Sequence, residues 1–254
     1  MQKNLKNYIS EHIKNLGVKK NDRLLVYSDL SKFGIDNKNL PQIMISSLKN
    51  IVGIKGTIVM PFYILDMKQK YVFDKKKFIF SKKIGSLTRK FCKEKNLFRS
   101  NSTIHNHIGI GPDAKILNFS KDKISLGKGS DFENMYRKNF KLLLLGCDPM
   151  QGATYLHHIE ALQRVPYRKW ITVKKMKKEG KKIINISVKY FAKKDDRYIS
   201  NFDLIFNDIN RLKNNLIVEK IKYGKSFCIN LQNLHKFSIR MLKKDIFYFV
   251  KKNS

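Results

Sequence analysis

Leu142-Leu-Leu-Leu145-Gly146, followed after a short polar stretch by Thr154-Tyr-Leu-His157-His158-Ile-Glu160, predicts a buried strand, a turn and the start of a helix. An apolar run of this kind is consistent with a strand that is covered on both faces. The order places the polar side chains of the helix at the carboxyl edge of a sheet, where open α/β sheets bind their ligands. We therefore expect functional groups at that edge.

A possible general base lies on this helix. His157 and Glu160 are three residues apart and so share one face. A carboxylate beside an imidazole can fix the tautomer of the ring and raise its basicity, which a general base needs. The alternative interpretation is a pair of satisfied polar groups on a helix with no catalytic role.

A strand-helix-strand order precedes this region. The chain shows a helical pattern over residues 5–16, a strand at Arg23–Tyr27, a helix at Leu40–Val52 and a strand at Thr57–Met60. Short connections between such elements are typical of an α/β sheet. Further predicted elements are a helix at Gly85–Asn96, a strand at His105–Ile110 and a short helix at Pro112–Phe119.

The C-terminal third has a different pattern. Trp170–Lys175 and Lys182–Tyr190 alternate around Lys-Glu-Gly-Lys, which predicts a β-hairpin. A helix at Asn201–Lys213 and a last helix from Leu231 enclose two more strands. We predict an α/β fold with a central mixed sheet flanked by helices on both faces and a smaller antiparallel β-hairpin region in this third. Without a repeat or linker, residues 1–254 are predicted to form a single domain.

The composition indicates a globular cytoplasmic protein. No run of 18 apolar residues is present, so no membrane span is predicted. The N-terminus has no apolar region of the secretory type. The three cysteines are scattered, which favours reduced thiols over a disulfide framework or a zinc site. No helix has a surplus apolar stripe, and both a monomer and a homodimer remain open.

The formal net charge of +33 raises the alternative of a basic nucleic-acid-binding protein. However, of the 53 basic residues only 9 are arginines, which bind phosphates and base edges better than lysines do. The lysines are also spread along the whole chain. We therefore regard nucleic acid as an unlikely partner, although the average field favours anionic ligands.

Two polar segments could bind anions. The turn from Ser28 to Gly34 follows a strand, and such turns can present backbone N–H groups to a phosphate. Arg99-Ser100-Asn101-Ser102 precedes another strand and could hold a second anionic group. The alternative interpretations are a capping turn and an ordinary polar loop.

His105 and His107 raise the alternative of a metal-dependent hydrolase. Alternate residues of a strand share a face, and His157 or His158 with Glu160 could complete a ligand set. The chain has neither a His-Glu-x-x-His pattern nor a cysteine pair. We predict no metal site.

The order of several motifs resembles the aminoglycoside 3-N-acetyltransferase family. Leu25-Val-Tyr-Ser28-Asp-Leu-Ser31-Lys-Phe-Gly34 is similar to the serine-rich turn of that family, and the resemblance covers about residues 20–170. The remaining similar motifs, in the family's order, are Gly56-Thr-Ile-Val-Met-Pro61, Phe73-Asp74, Gly85, Arg99-Ser100, Gly109-Ile-Gly-Pro-Asp-Ala114, Gly127-Lys-Gly-Ser130, Leu143-Leu-Leu-Gly146, Thr154-x-x-His157-x-x-Glu160, Val165-Pro-Tyr-Arg168 and Gly224-Lys-Ser-Phe-Cys228.

The resemblance implies transfer of an acetyl group from acetyl-coenzyme A to an amine, without a metal. It makes His157 the general base, with Glu160 orienting the ring or holding the amine and Thr154 near the thioester. An ammonium must lose a proton before it attacks a thioester, and an imidazole suits that task. The residues that the resemblance assigns to coenzyme A are Ser28, Asp29, Leu30, Ser31, Lys32, Arg99 and Ser100.

Four motifs depart from the family pattern. Tyr27 stands where the family has His, Ser102-Thr103 replaces His-Pro, Phe62 replaces Thr, and Asp131 replaces Pro. These changes alter the expected pocket wall but leave His157 and Glu160 in place. The roles of four carboxylates are open, and the alternative for each is a solvated or capping group. These carboxylates are Asp66, Asp74, Asp131 and Asp203.

Charge suggests which amine is the acceptor. A pocket for polycationic aminoglycosides needs several carboxylates, and the chain has 20 acidic residues against 53 basic ones. A nucleotide-linked amino deoxysugar destined for a surface glycan is therefore the favoured acceptor. The alternative is an aminoglycoside antibiotic, with resistance as the function.

Overall fold

Twelve strands and eight α-helices make up the computed structural model, which describes residues 2–65, 71–81, 84–213 and 215–252. The strands are β1 (Arg23–Ser28), β2 (Thr57–Pro61), β3 (Val72–Phe73), β4 (Phe98–Arg99), β5 (His107–Ile110), β6 (Lys141–Leu145), β7 (Arg168–Glu179), β8 (Lys182–Lys193), β9 (Tyr198–Ser200), β10 (Ile217–Ile221), β11 (Gly224–Asn230) and β12 (Val250–Lys252). The helices are α1 (Gln2–Asn15), α2 (Leu40–Val52), α3 (Ser86–Phe91), α4 (Asp131–Arg137), α5 (Pro149–Gly152), α6 (Tyr155–Gln163), α7 (Phe202–Arg211) and α8 (Leu231–Lys244), with 3-10 helices at Leu30–Phe33 and Pro112–Phe119.

The central sheet has seven strands in the order β10-β11-β6-β1-β2-β5-β4. Strands β6, β1 and β2 run parallel, whereas β11 and β5 lie antiparallel on either side of them. The predicted α/β fold with a mixed central sheet is therefore confirmed.

Helices cover both faces of this sheet because its strands alternate apolar side chains between two cores. In β6, Leu142 and Leu144 belong to one core, and Leu143 and Leu145 belong to the other. The first core includes buried residues of α4, α6, α7 and α8, and the second includes those of α1, α2 and α3. Both layers together remove the four leucines of β6 from water completely.

The predicted β-hairpin of the C-terminal third is longer than its sequence pattern. Strands β7 and β8 pair antiparallel from Arg168 opposite Lys193 to Glu179 opposite Lys182, and β3 joins the outer side of β7. A further two-stranded sheet consists of β9 and β12. None of the helices in the described ranges is long and apolar enough to cross a bilayer.

Two predicted boundaries were wrong. The helix expected at Gly85–Asn96 ends at Phe91, and turns follow it. The strand expected from His105 begins at His107, because the Asn106 amide donates to the carbonyls of Ser100 and Ser102 and folds the preceding loop on itself.

Candidate active site

The carboxyl ends of β1, β2 and β6 meet at one edge of the sheet because these strands are parallel. Ser28 pairs with Leu145 there, and Pro61 pairs with His107, the first residue of β5. A cavity of about 610 Å³ opens at this edge, and we call it the edge cavity. It is lined by Tyr27, Ser28, Pro61, Tyr63, Ile64, Leu65, Tyr71, Ile79, Ser81, Ile84, Gly85, Thr88, Cys147, Gln151 and Thr154.

Gly146 allows the end of β6 to lie close to the turn that follows β1. Its φ is +65°, and its N–H donates to the Ser226 hydroxyl over 3.0 Å. A Cβ at this position would lie only 2.5 Å from the Asp29 carbonyl oxygen. The glycine therefore brings the turn after β1 against the end of β6, beside the edge cavity.

We expect Gly146→Ala to lower the free energy of unfolding by about 1–3 kcal/mol, because it combines a left-handed backbone with a backbone clash. Gly180→Ala is the matched control, since Gly180 has a φ of +59° but no neighbouring atom within 4 Å. Urea unfolding of both variants measures the difference. Equal losses would show that contact with the Asp29 carbonyl has no energetic consequence.

His157, Glu160 and Arg168 form a charged cluster on α6 and at the start of β7. The Nδ1 of His157 lies 2.5 Å from Glu160 Oε2, and the Nε of Arg168 lies 2.7 Å from the same oxygen. The Glu160 side chain is fully buried, whereas a quarter of the His157 side chain is exposed. The predicted pair is therefore formed, and Arg168 is a third member to which the sequence analysis assigned no role.

This cluster fixes the tautomer of His157. Because the Glu160 carboxylate can only accept, Nδ1 of His157 carries the proton, and Nε2 keeps its lone pair. The ring edge also contacts Phe202, with 4.9 Å between centroids. Among the described residues, no hydrogen bond occupies Nε2, so this atom is available as a proton acceptor.

Thr154 lies one helical turn before His157 and lines the edge cavity. Its hydroxyl is close enough to the Tyr27 and Tyr63 phenols to lower their pKa values, but burial has the larger effect and raises both. Both phenols therefore stay protonated at neutral pH. His157 itself does not line the edge cavity and stands beside it on the same helix.

Only part of the segment assigned to coenzyme A faces the edge cavity. Ser28 lines it, but the Asp29 carboxylate accepts from the backbone N–H and hydroxyl of Ser31 and so caps the following 3-10 helix. The Leu30 side chain is buried in the core. The Lys32 carbonyl accepts from Tyr223 N–H over 2.9 Å. Contact of this segment with coenzyme A stays a prediction.

Arg99 and Ser100 lie behind the cavity wall rather than on it, since both are buried. The Arg99 guanidinium donates to Asn106 Oδ1 over 2.8 Å and to the carbonyls of Asp74 and Lys77 over 2.8 and 2.6 Å. It also stacks on three phenylalanine rings. These contacts hold the segment that leads to Ile79 and Ser81 of the cavity wall, and the predicted contact with coenzyme A remains a prediction.

The other candidate histidines have partners of their own. His105 Nδ1 lies 2.5 Å from the Ser125 hydroxyl, and His107 Nδ1 lies 2.7 Å from Asp131 Oδ2. His158 Nδ1 accepts from Gly127 N–H, and burial lowers the pKa of His158 to about 3. Within the described ranges, no three His, Cys, Asp or Glu side chains are grouped to hold a metal ion.

The four carboxylates with open roles differ in their surroundings. Asp74 accepts from Lys76 N–H, which lowers its pKa. Asp131 is buried against His107, and Asp66 lies outside the described residues. Asp203 is exposed next to Phe202, and its pKa is raised by partial burial and by the carboxylate of Asp148.

Comparison with known proteins places this geometry in a family context. A family model described as aminoglycoside 3-N-acetyltransferase matches residues 25–243. "Aminoglycoside N(3)-acetyltransferase III" from Acinetobacter baumannii is 28% identical over 181 residues, which cover 65% of this chain and 63% of that protein.

Solved structures with the same fold cover almost the whole chain. "Room temperature neutron/X-ray structure of sisomicin bound AAC-VIa" has a TM-score of 0.82 at 18% identity and covers 94% of this chain and 97% of that chain. "AAC-IIIb binary with CoASH" has a TM-score of 0.81 at 17% identity and covers 94% and 96%. At these identities the similarity establishes the fold.

Proposed function

The chain belongs to the aminoglycoside 3-N-acetyltransferase family, and on this premise we propose that it transfers the acetyl group of acetyl-coenzyme A to an amine of an amino sugar. The observation that carries the proposal is the half-buried His157 ring, held by buried Glu160 beside the edge cavity. Family membership favours this acyltransferase function over nucleic-acid binding and metal-dependent hydrolysis.

The edge cavity suits the narrow, partly apolar pantetheine arm of coenzyme A. Its walls combine the aromatic rings of Tyr63 and Tyr71 with the hydroxyls of Ser28 and Ser81. Lys32 lies in the turn that follows Ser28 and adds positive charge for phosphate groups. The neighbour described as a binary complex with CoASH supports this choice of cosubstrate.

His157 performs the first proton transfer in the proposed reaction. Its Nε2 accepts a proton from the ammonium of the acceptor, and the ring becomes an imidazolium. Glu160, which is hydrogen-bonded to Nδ1, stabilises that positive charge. Arg168 pairs with Glu160 and holds its carboxylate in place. The nitrogen then attacks the thioester carbonyl, and the hydroxyl of Thr154, which lines the edge cavity, donates to the developing oxyanion.

The acceptor we propose is an aminoglycoside, which was the alternative in the sequence analysis. The nucleotide-linked sugar was favoured on net charge alone, and the names of the relatives favour an aminoglycoside instead. Local charge agrees, because Asp148 lies close enough to Asp203 to raise its pKa, and Asp203 follows Phe202, whose ring contacts His157. Salt screens charges that are more than about 8 Å apart, so lysines spread over the whole surface affect acceptor binding less than the net charge suggests.

Thiol release from acetyl-coenzyme A tests this proposal with two classes of acceptor. We expect release with kanamycin-type and sisomicin-type aminoglycosides and none with nucleotide-linked 3-amino or 4-amino deoxysugars. Release with the nucleotide-linked sugars alone would show that the proposed acceptor is wrong. No release with any amine of the panel would show that the transferase proposal itself is wrong.

Removal of both carboxylates, Asp148→Asn with Asp203→Asn, is expected to raise KM for an aminoglycoside about 10-fold, because two attractions to the acceptor cations are lost. KM for acetyl-coenzyme A should not change. Glu11→Gln, on the exposed side of α1, is the control for loss of a surface carboxylate. An unchanged KM for the aminoglycoside would exclude these two carboxylates from acceptor binding.

A further inference from the structure

A second line of polar groups runs from the edge cavity into the protein, apart from the His157 cluster. The Tyr27 and Tyr63 phenols are hydrogen-bonded to each other at the cavity wall. Tyr63 Oη lies 3.3 Å from His107 Nε2, and His107 Nδ1 lies 2.7 Å from Asp131 Oδ2. The other carboxylate oxygen of Asp131 accepts from the Ser120 hydroxyl.

The inner members of this line are buried. The side chains of His107 and Asp131 are 0% and 1% exposed, and Ser120 is also buried. Burying an ionisable pair is costly unless every partner is in place, and both oxygens of Asp131 have donors here.

The direction of the hydrogen bonds follows from the carboxylate. Because Asp131 accepts at Oδ2, Nδ1 of His107 carries the proton, and Nε2 is left as an acceptor. Tyr63 O–H therefore donates to Nε2, and Tyr27 O–H donates to the Tyr63 oxygen. A hydroxyl, an imidazole and a carboxylate in this order have the same relation as the members of a nucleophile-base-acid triad.

Acetylation of an ammonium needs more than one proton acceptor. The nitrogen loses one proton before it attacks the carbonyl and a second after the C–N bond has formed, and the departing thiolate sulfur takes up one. His157 Nε2 can hold a single proton at a time. A second group at the cavity wall that can store a proton and return it would complete this exchange.

Building on the proposed function, we propose that Tyr63 is a second catalytic proton carrier, with His107 and Asp131 as its positioning residues. The acetylated nitrogen gives its proton to Tyr63 Oη as the Tyr63 hydroxyl proton moves to His107 Nε2. His107 becomes an imidazolium beside the Asp131 carboxylate. The reverse movement delivers a proton from Tyr63 to the thiolate sulfur once the C–S bond has broken.

Tyr63 passes protons in this scheme without becoming a phenolate. Burial raises the pKa of the Tyr63 phenol well above its ordinary value, so loss of its proton alone is unfavourable. Receipt of one proton while another is given avoids that charge. The charge is placed on His107, where Asp131 compensates it.

Tyr63→Phe keeps the ring and removes the hydroxyl, so it tests the carrier directly. We expect the single-turnover rate of acetyl transfer to fall about 10²-fold, with the affinity for acetyl-coenzyme A unchanged. When the rate is plotted against the D₂O fraction of the solvent, the wild-type rate should fall along a curve, because several protons move together. The rate of Tyr63→Phe should fall along a straight line. Tyr248→Phe, which removes a hydroxyl that donates to Asp208 outside the cavity, is the matched control.

A double-mutant cycle separates a shared proton path from a structural role. Asp131→Asn alone should slow transfer about as much as Tyr63→Phe, and the combination should be no slower than either, because both changes interrupt one path. The proposal would be overturned if the rate losses of the two single variants multiplied in the double variant, or if Tyr63→Phe left the rate unchanged. It would also be overturned if the wild-type rate fell along a straight line as the D₂O fraction rises. If the wild-type protein acetylates no amine, it is the proposed function that fails.

Discussion

Replacement of His157 by alanine is expected to lower the turnover number for acetyl transfer by about 10²–10⁴-fold, which is the range for loss of a general base. The variant keeps Glu160 and Arg168 paired, and a quarter of the His157 side chain is already exposed, so the fold should survive. Affinity for acetyl-coenzyme A should be retained, because His157 does not line the edge cavity.

Single-turnover rates together with calorimetric binding of the cosubstrate measure this effect. His235→Ala is a suitable control, since it removes an imidazole of helix α8 that is hydrogen-bonded to the Tyr155 hydroxyl. Its turnover should stay close to that of the wild type. An unchanged rate for His157→Ala would remove this residue from the base role, whereas loss of cosubstrate binding would place it in the binding site.

Glu160→Ala is expected to have the largest effect on stability, a loss of about 3–5 kcal/mol, because it leaves a buried guanidinium without its carboxylate. Glu160 is fully buried and its Oε2 is shared by His157 and Arg168, whose side chain is only 9% exposed. Turnover should fall as well, since the His157 ring loses the group that fixes its tautomer.

Urea unfolding of single and double variants tests the origin of this loss. Glu160→Leu combined with Arg168→Leu should be more stable than Glu160→Leu alone, because no buried charge is then left unpaired. Glu179→Ala provides the control for an exposed ion pair, with a loss of at most about 1 kcal/mol. A small loss for Glu160→Ala would show that Arg168 finds another partner or solvent.

Local patterns predicted the elements that surround the site. The leucine run of β6, the helix of α2 with Gly53 at its end and the β7–β8 hairpin all follow from neighbours in the chain. Helix α4 has such a signal that the sequence analysis missed: Ser130 accepts from Glu133 N–H, and the Glu133 carboxylate accepts from Gly129 N–H. This is close to a capping box, which a Ser-x-x-Glu pattern indicates.

The roles of charged residues were harder to predict because they depend on burial. Arg99 was predicted to contact an anionic cosubstrate. Its guanidinium is bonded to carbonyls and lies against aromatic rings, which no local pattern indicated, and the contact with the cosubstrate stays a prediction. Net charge likewise pointed towards an anionic acceptor, although two carboxylates, Asp148 and Asp203, lie close enough together to influence each other. Composition averages over the whole surface, whereas recognition depends on the few charges within a screening length.

The sequence by itself determined the His157–Glu160 pair, because residues three apart on any helix lie on the same face. Only the tertiary structure decided the line from Tyr27 to Asp131. Its successive members are 36, 44 and 24 residues apart in the chain. They meet because β1, β2 and β5 end or begin at one sheet edge, with Pro61 opposite His107. Pairing between distant strands is set by the packing of the whole sheet, and no local spacing records it.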